Sequence, residues 1–119
     1  MDTNIYIHNS SLYFHLLVSR GRFFFVSFNE SIEIDGINVQ KIGKALSSKT
    51  RWAILQLLSQ QKMDVSRIAE SLNQTEANIS AQIKILEKAG LIISHYEPGE
   101  HGVRKICEPA CKKLTISII

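Results

Sequence analysis

Residues Val65–Gly90 read VSRIAESLNQTEANISAQIKILEKAG and have the pattern of two short helices joined by a tight turn. Asp64 precedes the first helix, and Thr75 precedes the second, Glu76–Ala89. Asp and Thr at such positions accept a hydrogen bond from an unpaired backbone amide and so cap the start of a helix. Gly90 tolerates the left-handed backbone conformation with which many helices end. The stretch therefore predicts a helix-turn-helix.

The second helix has two distinct faces when its residues are placed 100° apart. The apolar residues Ile79, Ile83 and Leu86 fall in one narrow sector, which we expect to pack inward. The outer face begins with small side chains and ends with cations. It comprises Ala77, Ser80, Ala81, Lys84 and Lys88, with Glu76 and Asn78 on its flanks. Small residues let a helix approach base edges, and cations further along can reach phosphates. An ordinary solvated helix face would show the same pattern, but the neighbouring elements favour DNA contact.

A β-hairpin is predicted directly after this helix. Two β-prone runs, Leu91–Tyr96 and Val103–Cys107, flank Glu97-Pro98-Gly99-Glu100-His101-Gly102, and the glycines and proline of that segment predict the tip. Arg104 and Lys105 begin the returning strand and point to opposite sides of it. At least one of them should therefore face a DNA backbone or minor groove. A helix-turn-helix followed by a basic hairpin is typical of a winged helix-turn-helix, whose second helix enters the DNA major groove.

The residues before the helix-turn-helix predict two more helices and, ahead of them, a β-rich segment over Asn4–Ile34, which we call the leader. Helical spacing of apolar residues favours helices over Asn38–Leu46 and Lys49–Leu58, and Ser48 is placed to cap the second of them. In the leader, apolar runs on both sides of Arg20-Gly21 predict two or three strands, with that pair as a hairpin turn. These runs are nearly continuous, so we expect them to be buried on both faces, against a partner chain or another domain.

The fold class is therefore α+β, mainly α, with a winged helix-turn-helix, a C-terminal β-hairpin wing and an additional N-terminal β-rich segment. We divide the chain into an N-terminal β-rich extension, residues 1–36, a winged helix-turn-helix DNA-binding domain, residues 37–108, and a C-terminal strand, residues 109–119. The alternation of Leu114, Ile116 and Ile118 with polar residues predicts that last strand. It either pairs with the leader, in the same chain or across a dimer, or the chain is a piece of a longer regulator.

Charge favours a nucleic-acid partner. The net charge of the 119 residues is +3, yet residues 37–119 hold twelve cations against seven anions. The longest apolar runs are too short to span a bilayer, and the start of the chain lacks the pattern of a signal peptide. A cytoplasmic protein without a membrane partner is expected. Because no phosphate loop, zinc-protease motif or nucleophile elbow is present, we do not expect an enzyme. No cofactor is expected, and no residues are assigned to a metal site.

Three segments together resemble the ArsR family of winged-helix transcription regulators. They read LSSKTRWAIL at Leu46–Leu55, DVSRIA at Asp64–Ala69 and TEANISAQIKILEKAGLI at Thr75–Ile92, and the similarity extends over about Val39–Cys107. The resemblance implies a homodimer that binds double-stranded operator DNA as a repressor, in many members until a metal or other effector releases it. It places Arg51 where it holds the fold or lies near DNA. It also places five residues toward DNA: Thr75, Glu76, Ala77, Ser80 and Ala81.

Two departures from the family leave other functions open. The helix Val65–Leu72 lacks the paired cysteines of the family's arsenic and cadmium sensors, and a strand stands where members usually have a final dimer-forming helix. Cys107 and Cys111 have three residues between them and could act as a redox switch or hold a soft metal with His95 or His101. We favour two packed side chains there. The remaining alternative is a winged-helix adaptor that binds proteins and not DNA.

Overall fold

The computed structural model describes the backbone of residues 12–19 and 22–118 and the side chains of residues 30–118. Within these residues four helices and six strands are found. In chain order they are β1 (Leu12–Ser19), β2 (Arg22–Ile34), α1 (Ile37–Leu46), α2 (Lys49–Gln60), β3 (Met63–Asp64), α3 (Val65–Leu72), α4 (Glu76–Lys88), β4 (Ile92–Gly99), β5 (Gly102–Pro109) and β6 (Cys111–Ile116). None of the described helices is long and apolar enough to cross a membrane.

Three helices begin at the predicted caps. The side chain of Ser48 accepts a hydrogen bond from the backbone amide of Arg51 at 3.3 Å, and Asp64 Oδ1 accepts one from Arg67 at 2.8 Å. Thr75 Oγ1 does the same for Asn78 at 3.1 Å. Each contact satisfies a donor that has no partner inside its own helix. The capping residues predicted for α2, α3 and α4 are therefore confirmed.

Six strands form two separate three-stranded sheets. In the first, β1 pairs antiparallel with β2, and β6 pairs with the other edge of β2 in parallel, with Ile34 opposite Ile116. The strand after the wing therefore pairs with the leader within one chain, which is one of the predicted alternatives. The turn predicted at Arg20-Gly21, and the predicted burial of the leader's side chains up to Asn29, lie outside what the structure describes.

The second sheet, in the order β3-β5-β4, contains the wing. The predicted hairpin is present, but its tip is shorter than the six residues expected. Gly99 pairs with Gly102, so the turn is only Glu100-His101, and Pro98 lies inside β4 opposite Val103. Proline is tolerated there because β4 is an edge strand, where a missing amide need not break a ladder hydrogen bond. The tip prediction was therefore wrong in length.

One core joins the helices to both sheets. Ile79, Ile83 and Leu86 of α4 are fully buried, which confirms the predicted inward sector. Ile34, at the end of β2, is 6% exposed and belongs to the same cluster, and Ile32 and Leu114 pack against it. The first sheet thus contributes directly to the hydrophobic core beneath α4. The division at residues 36 and 108 remains a prediction.

Candidate nucleic-acid interface

The predicted outer face of α4 is open to solvent. Ser80 is half-buried, and the other predicted positions along this face are exposed, namely Thr75, Glu76, Ala77, Asn78, Ala81, Lys84 and Lys88. Within the described residues, no ion pair involves Lys84 or Lys88. The helix therefore presents small side chains in its first turns and two available cations in its last. The small side chains at the start of α4 would fit into a DNA groove, and the lysines at its end could contact the phosphate backbone.

Glu76 has a partner inside the molecule. The hydroxyl of Ser66, in the first turn of α3, donates to Glu76 Oε1 at 2.5 Å. This contact ties the N-terminal ends of α3 and α4 together, and the carboxylate also lies at the positive end of its own helix. The bond from Ser66 uses Oε1, so Oε2 keeps lone pairs that could accept from a base.

Asn78 lies in a row of amide side chains that the sequence interpretation missed. Its Nδ2 donates to Gln74 Oε1, and its Oδ1 accepts from Gln82 Nε2 at 3.2 Å. Part of the signal was present in the sequence, since Asn78 and Gln82 are four residues apart within α4 and such residues are neighbours on a helix surface, while Gln74 lies just before the cap of that helix. Gln74 and Gln82 therefore join the candidate site.

Arg51 holds the fold, which is the first of the two roles that the resemblance implied. Its Nε donates to the carbonyl of Ala45 at 2.6 Å and its Nη2 to that of Lys44 at 2.9 Å, both at the end of α1. Its Nη1 donates to Gln82 Oε1 at 2.7 Å. One guanidinium thus connects the end of α1, the start of α2 and the middle of α4.

Both cations predicted for the wing form ion pairs within the protein. Arg104 contacts Asp64 Oδ2 at 3.2 Å and Glu97 Oε2 at 3.5 Å, while Lys105 Nζ lies 2.5 Å from Glu87 Oε1. The two side chains do point to different partners, one toward the start of α3 and the other toward α4. These ion pairs join the wing to the helices, and contact of either cation with DNA remains a prediction.

These contacts shift two pKa values. A hydrogen bond from His95, 2.9 Å away, is the main cause that lowers the pKa of Glu97. Burial acts to lower the pKa of Lys105, but the hydrogen bond and the charge of Glu87 outweigh it, so the pKa is raised. Both groups are therefore held in their charged forms at neutral pH.

An open groove separates the wing tip from the helix-turn-helix. The starts of α3 and α4 form one wall, through Asp64, Val65, Ser66, Glu76 and Ser80, and residues 98–105 of the wing form the other. The side chain of Arg104 lies directly over Gly99, where a Cβ would overlap it, with its Cδ at 2.9 Å. The groove is continuous with the exposed face of α4, so both belong to one candidate surface.

The two cysteines are packed and not joined to each other. Cys107 is fully buried and Cys111 is half-buried, and both are free thiols. Burial raises the pKa of both, although a hydrogen bond from Ser94 acts against it at Cys107. Across residues 30–118, no cluster of three or more His, Cys, Asp or Glu side chains could hold a metal ion. Thiols held neutral in this way are poor nucleophiles and metal ligands, which favours the packing interpretation.

The sequence and the fold are similar to those of known regulators. A family model described as bacterial regulatory protein, arsR family, matches residues 48–94, from the cap of α2 into β4. No match was found among curated proteins.

Solved structures similar to this chain include the following three. The crystal structure of a possible transcriptional regulatory protein from Mycobacterium bovis (fragment 1–100) is 30% identical, with a TM-score of 0.55 and coverage of 61% of this chain and 74% of that one. A solution structure from the same organism, of a homodimeric winged helix-turn-helix DNA-binding domain, is also 30% identical, with a TM-score of 0.55 and coverage of 61% and 64%. An ArsR family transcriptional regulator is 30% identical, with a TM-score of 0.52 and coverage of 60% and 75%.

Proposed function

This chain belongs to the arsR family of bacterial regulatory proteins and is a winged helix-turn-helix DNA-binding transcriptional regulator, and from that premise we propose that it binds specific operator sequences as a homodimer and represses transcription. In the proposed complex, α4 lies in the major groove and the wing lies on the backbone or in the minor groove. Regulators of this family and fold are not enzymes. A regulator that contacts bacterial DNA acts in the cytoplasm, which is the proposed compartment.

The exposed face of α4 carries this proposal. Because Ile79, Ile83 and Leu86 are fully buried, Ala77, Ala81, Lys84 and Lys88 must point away from the core, and all four are exposed. Alanines allow close approach to the floor of the groove, where they can contact thymine methyl groups. The lysines lie one turn apart at the other end of the helix, where they can reach one phosphate strand.

Two copies are proposed because one recognition helix reads only a short stretch of sequence. A two-fold symmetric dimer places two α4 helices in successive major grooves, so its operator is an inverted repeat with half-sites about one helical turn apart. The homodimeric state of the Mycobacterium bovis domain supports this assembly. The outer face of α4 holds no arginine for guanine, so DNA shape and half-site spacing should supply part of the specificity.

The first test is selection of bound duplexes from a random pool at a stated salt concentration. Enrichment of an inverted repeat is expected. If the selected pool stays random while the protein is folded, sequence-specific binding is refuted, and an adaptor that binds only proteins becomes the better description.

The second test assigns the phosphate contacts. Replacing Lys84 and Lys88 with Met should weaken binding to every sequence alike and lower the slope of log affinity against log salt by about one for each phosphate that is no longer neutralised. Lys113→Met, an exposed lysine on β6 in the other sheet, is the matched control and should leave the slope unchanged. An equal reduction per lysine replaced, in the control and in the α4 variant, would mean that general charge, and not α4, governs binding.

Repression is tested by transcription in vitro from a promoter that overlaps the selected operator. Added protein should reduce the transcript in proportion to operator occupancy, because the dimer and the polymerase compete for the same DNA. An increase in transcript would make the protein an activator.

The effector is proposed only as an unknown small molecule or metal that releases the DNA.

A further inference from the structure

A continuous chain of side-chain hydrogen bonds runs along one flank of α4, and both of its ends lie on α2. Arg51 Nη1 donates to Gln82 Oε1 at 2.7 Å, and Gln82 Nε2 donates to Asn78 Oδ1 at 3.2 Å. Asn78 Nδ2 then donates to Gln74 Oε1, and Gln74 Nε2 donates to Thr50 Oγ1 at 3.2 Å. We call these five residues the amide chain.

The hydrogen bonds of the amide chain can donate in only one direction if Arg51 is to keep its partner. A guanidinium has donors and no acceptor, so Gln82 must turn its carbonyl oxygen toward Arg51. Its amide nitrogen then faces Asn78, which must offer its own oxygen and pass a donor to Gln74. Since Arg51 is itself fixed by the carbonyls of Ala45 and Lys44, the cation sets the orientation of every amide along the row.

Asn78 keeps the capacity to bind a base while it is part of the chain. Its side chain is exposed on the flank of the outer face, and the chain uses one amide proton and one oxygen lone pair. One proton and one lone pair remain. An asparagine amide with both free can bind adenine at N7 and N6 in the major groove. The amide of Asn78 is therefore held in one orientation while the side that could bind a base stays exposed.

We propose that Arg51 and Gln82 are positioning residues that fix the amide of Asn78 so that it selects adenine at one position of each half-site. This inference rests on the proposed function and names a specificity determinant within it. Donation in one direction, starting from a cation, polarises each bond of the chain and so strengthens the next. A free asparagine could turn its amide over and accept other bases, whereas a fixed one presents a single donor–acceptor pattern.

The substitution Gln82→Glu tests this mechanism without removing a partner. A carboxylate can still accept from Arg51, but it cannot donate to Asn78, so Asn78 must turn over and donate to it. Gln74 can turn over in response, because the hydroxyl of Thr50 is able to donate as well as accept. The bond from Arg51 is kept and the other three are reversed, so all four hydrogen bonds remain and the midpoint of urea unfolding should stay unchanged.

The expected result is a loss of preference at one base position. The wild-type chain should favour adenine there by about tenfold, the scale of a good two-bond base contact. Gln82→Glu should reduce this ratio to near one, and Asn78→Ala should do the same at the same position. Gln56→Glu, an exposed glutamine of α2, adds an equal charge outside the chain and should keep the preference.

Spectra of the free protein give a reading that does not depend on DNA. The side-chain amide resonances of Asn78 should shift in Gln82→Glu and stay in place in Gln56→Glu. Unchanged resonances would overturn the proposed coupling. If Gln82→Glu keeps the adenine preference, the inference is wrong while operator binding stands. If the wild-type chain selects no sequence, both the inference and sequence-specific binding are wrong.

Discussion

Ile83 and Ile85 lie two residues apart on α4 and have opposite surroundings. Ile83 is fully buried, whereas Ile85 is 40% exposed. Ile83→Asp places a charge in the core and should lower the free energy of unfolding by more than about 4 kcal/mol, enough to leave the domain unfolded. Ile85→Asp should cost less than about 1 kcal/mol. Circular dichroism during thermal unfolding distinguishes the two, and a folded Ile83→Asp protein would show that the helix is rotated from its assigned phase.

Asp64 performs two tasks that substitutions can separate. Oδ1 caps α3, and Oδ2 pairs with Arg104 of the wing. Asp64→Asn keeps an acceptor for the cap and should cost less than about 1 kcal/mol, while Asp64→Ala removes both the cap and the ion pair and should cost about 1–3 kcal/mol. Urea unfolding measures both changes. Equal destabilisation in the two variants would mean that the charge, and not the cap, is what matters.

The role of a single residue was predictable where its contacts are with residues nearby in the sequence. A cap depends on a donor three residues away, and an inward position depends on helical spacing, so Ser48, Asp64, Thr75 and the buried sector of α4 followed from the sequence. The partners of Arg104 lie 40 residues away at Asp64 and across the hairpin at Glu97. No local pattern shows that a cation will be neutralised by residues so distant.

At the scale of elements, the wing is joined to α4 through Lys105 and Glu87, whose side chains are 20% and 29% exposed. Lys105→Met should lower the free energy of unfolding by about 1 kcal/mol or less, the range for partly exposed pairs. A raised folded-state pKa means that this contribution is complete below the unfolded value of 10.5 and is lost as pH rises through the folded value. The difference from wild type should therefore be constant from pH 7 to 9 and shrink above about pH 10.5.

Lys88→Met is the matched control for that pH series, because Lys88 is exposed at the end of the same helix and has no described ion-pair partner. Its difference from wild type should be small at every pH. A Lys105 series that stayed flat into alkaline pH would show that packing of the side-chain stem, and not its charge, holds the wing.

The sequence predicted which helices and strands exist better than it predicted where they end. All four predicted helices are present, and the observed α2 extends two residues further than expected, to Gln60. The wing differs more, since Pro98 and Gly99 are usual turn residues and yet continue β4. Pairing across the hairpin outweighed the local preference of these residues for a turn.

At the scale of the whole molecule, two strands that lie far apart in the sequence pair with each other. β6 pairs in parallel with β2, which places Ile116 beside Ile34 and brings Leu114 against the core. The sequence indicated both strands and left open whether they pair in one chain or between two. Parallel pairing needs a long connection, and here the entire winged helix-turn-helix supplies it. Alternation along a strand reveals its faces but not its neighbour, so this pairing could not be read from the sequence.

Ile34 and Ile37 test whether the first sheet belongs to the folding unit of the helices. They lie on either side of the predicted boundary at residue 36, with Ile34 6% and Ile37 82% exposed. Ile34→Ala should lower the free energy of unfolding by about 3 kcal/mol through reduced burial and a cavity, whereas Ile37→Ala should change it by less than about 0.5 kcal/mol. Both are measured by urea unfolding at one low protein concentration. If Ile34→Ala proved as mild as Ile37→Ala, the leader would be an appendage with its own stability. A large decrease in one cooperative transition would mean that β2 and β6 support the same core that carries α4, so the leader could not be removed without losing the DNA-binding surface.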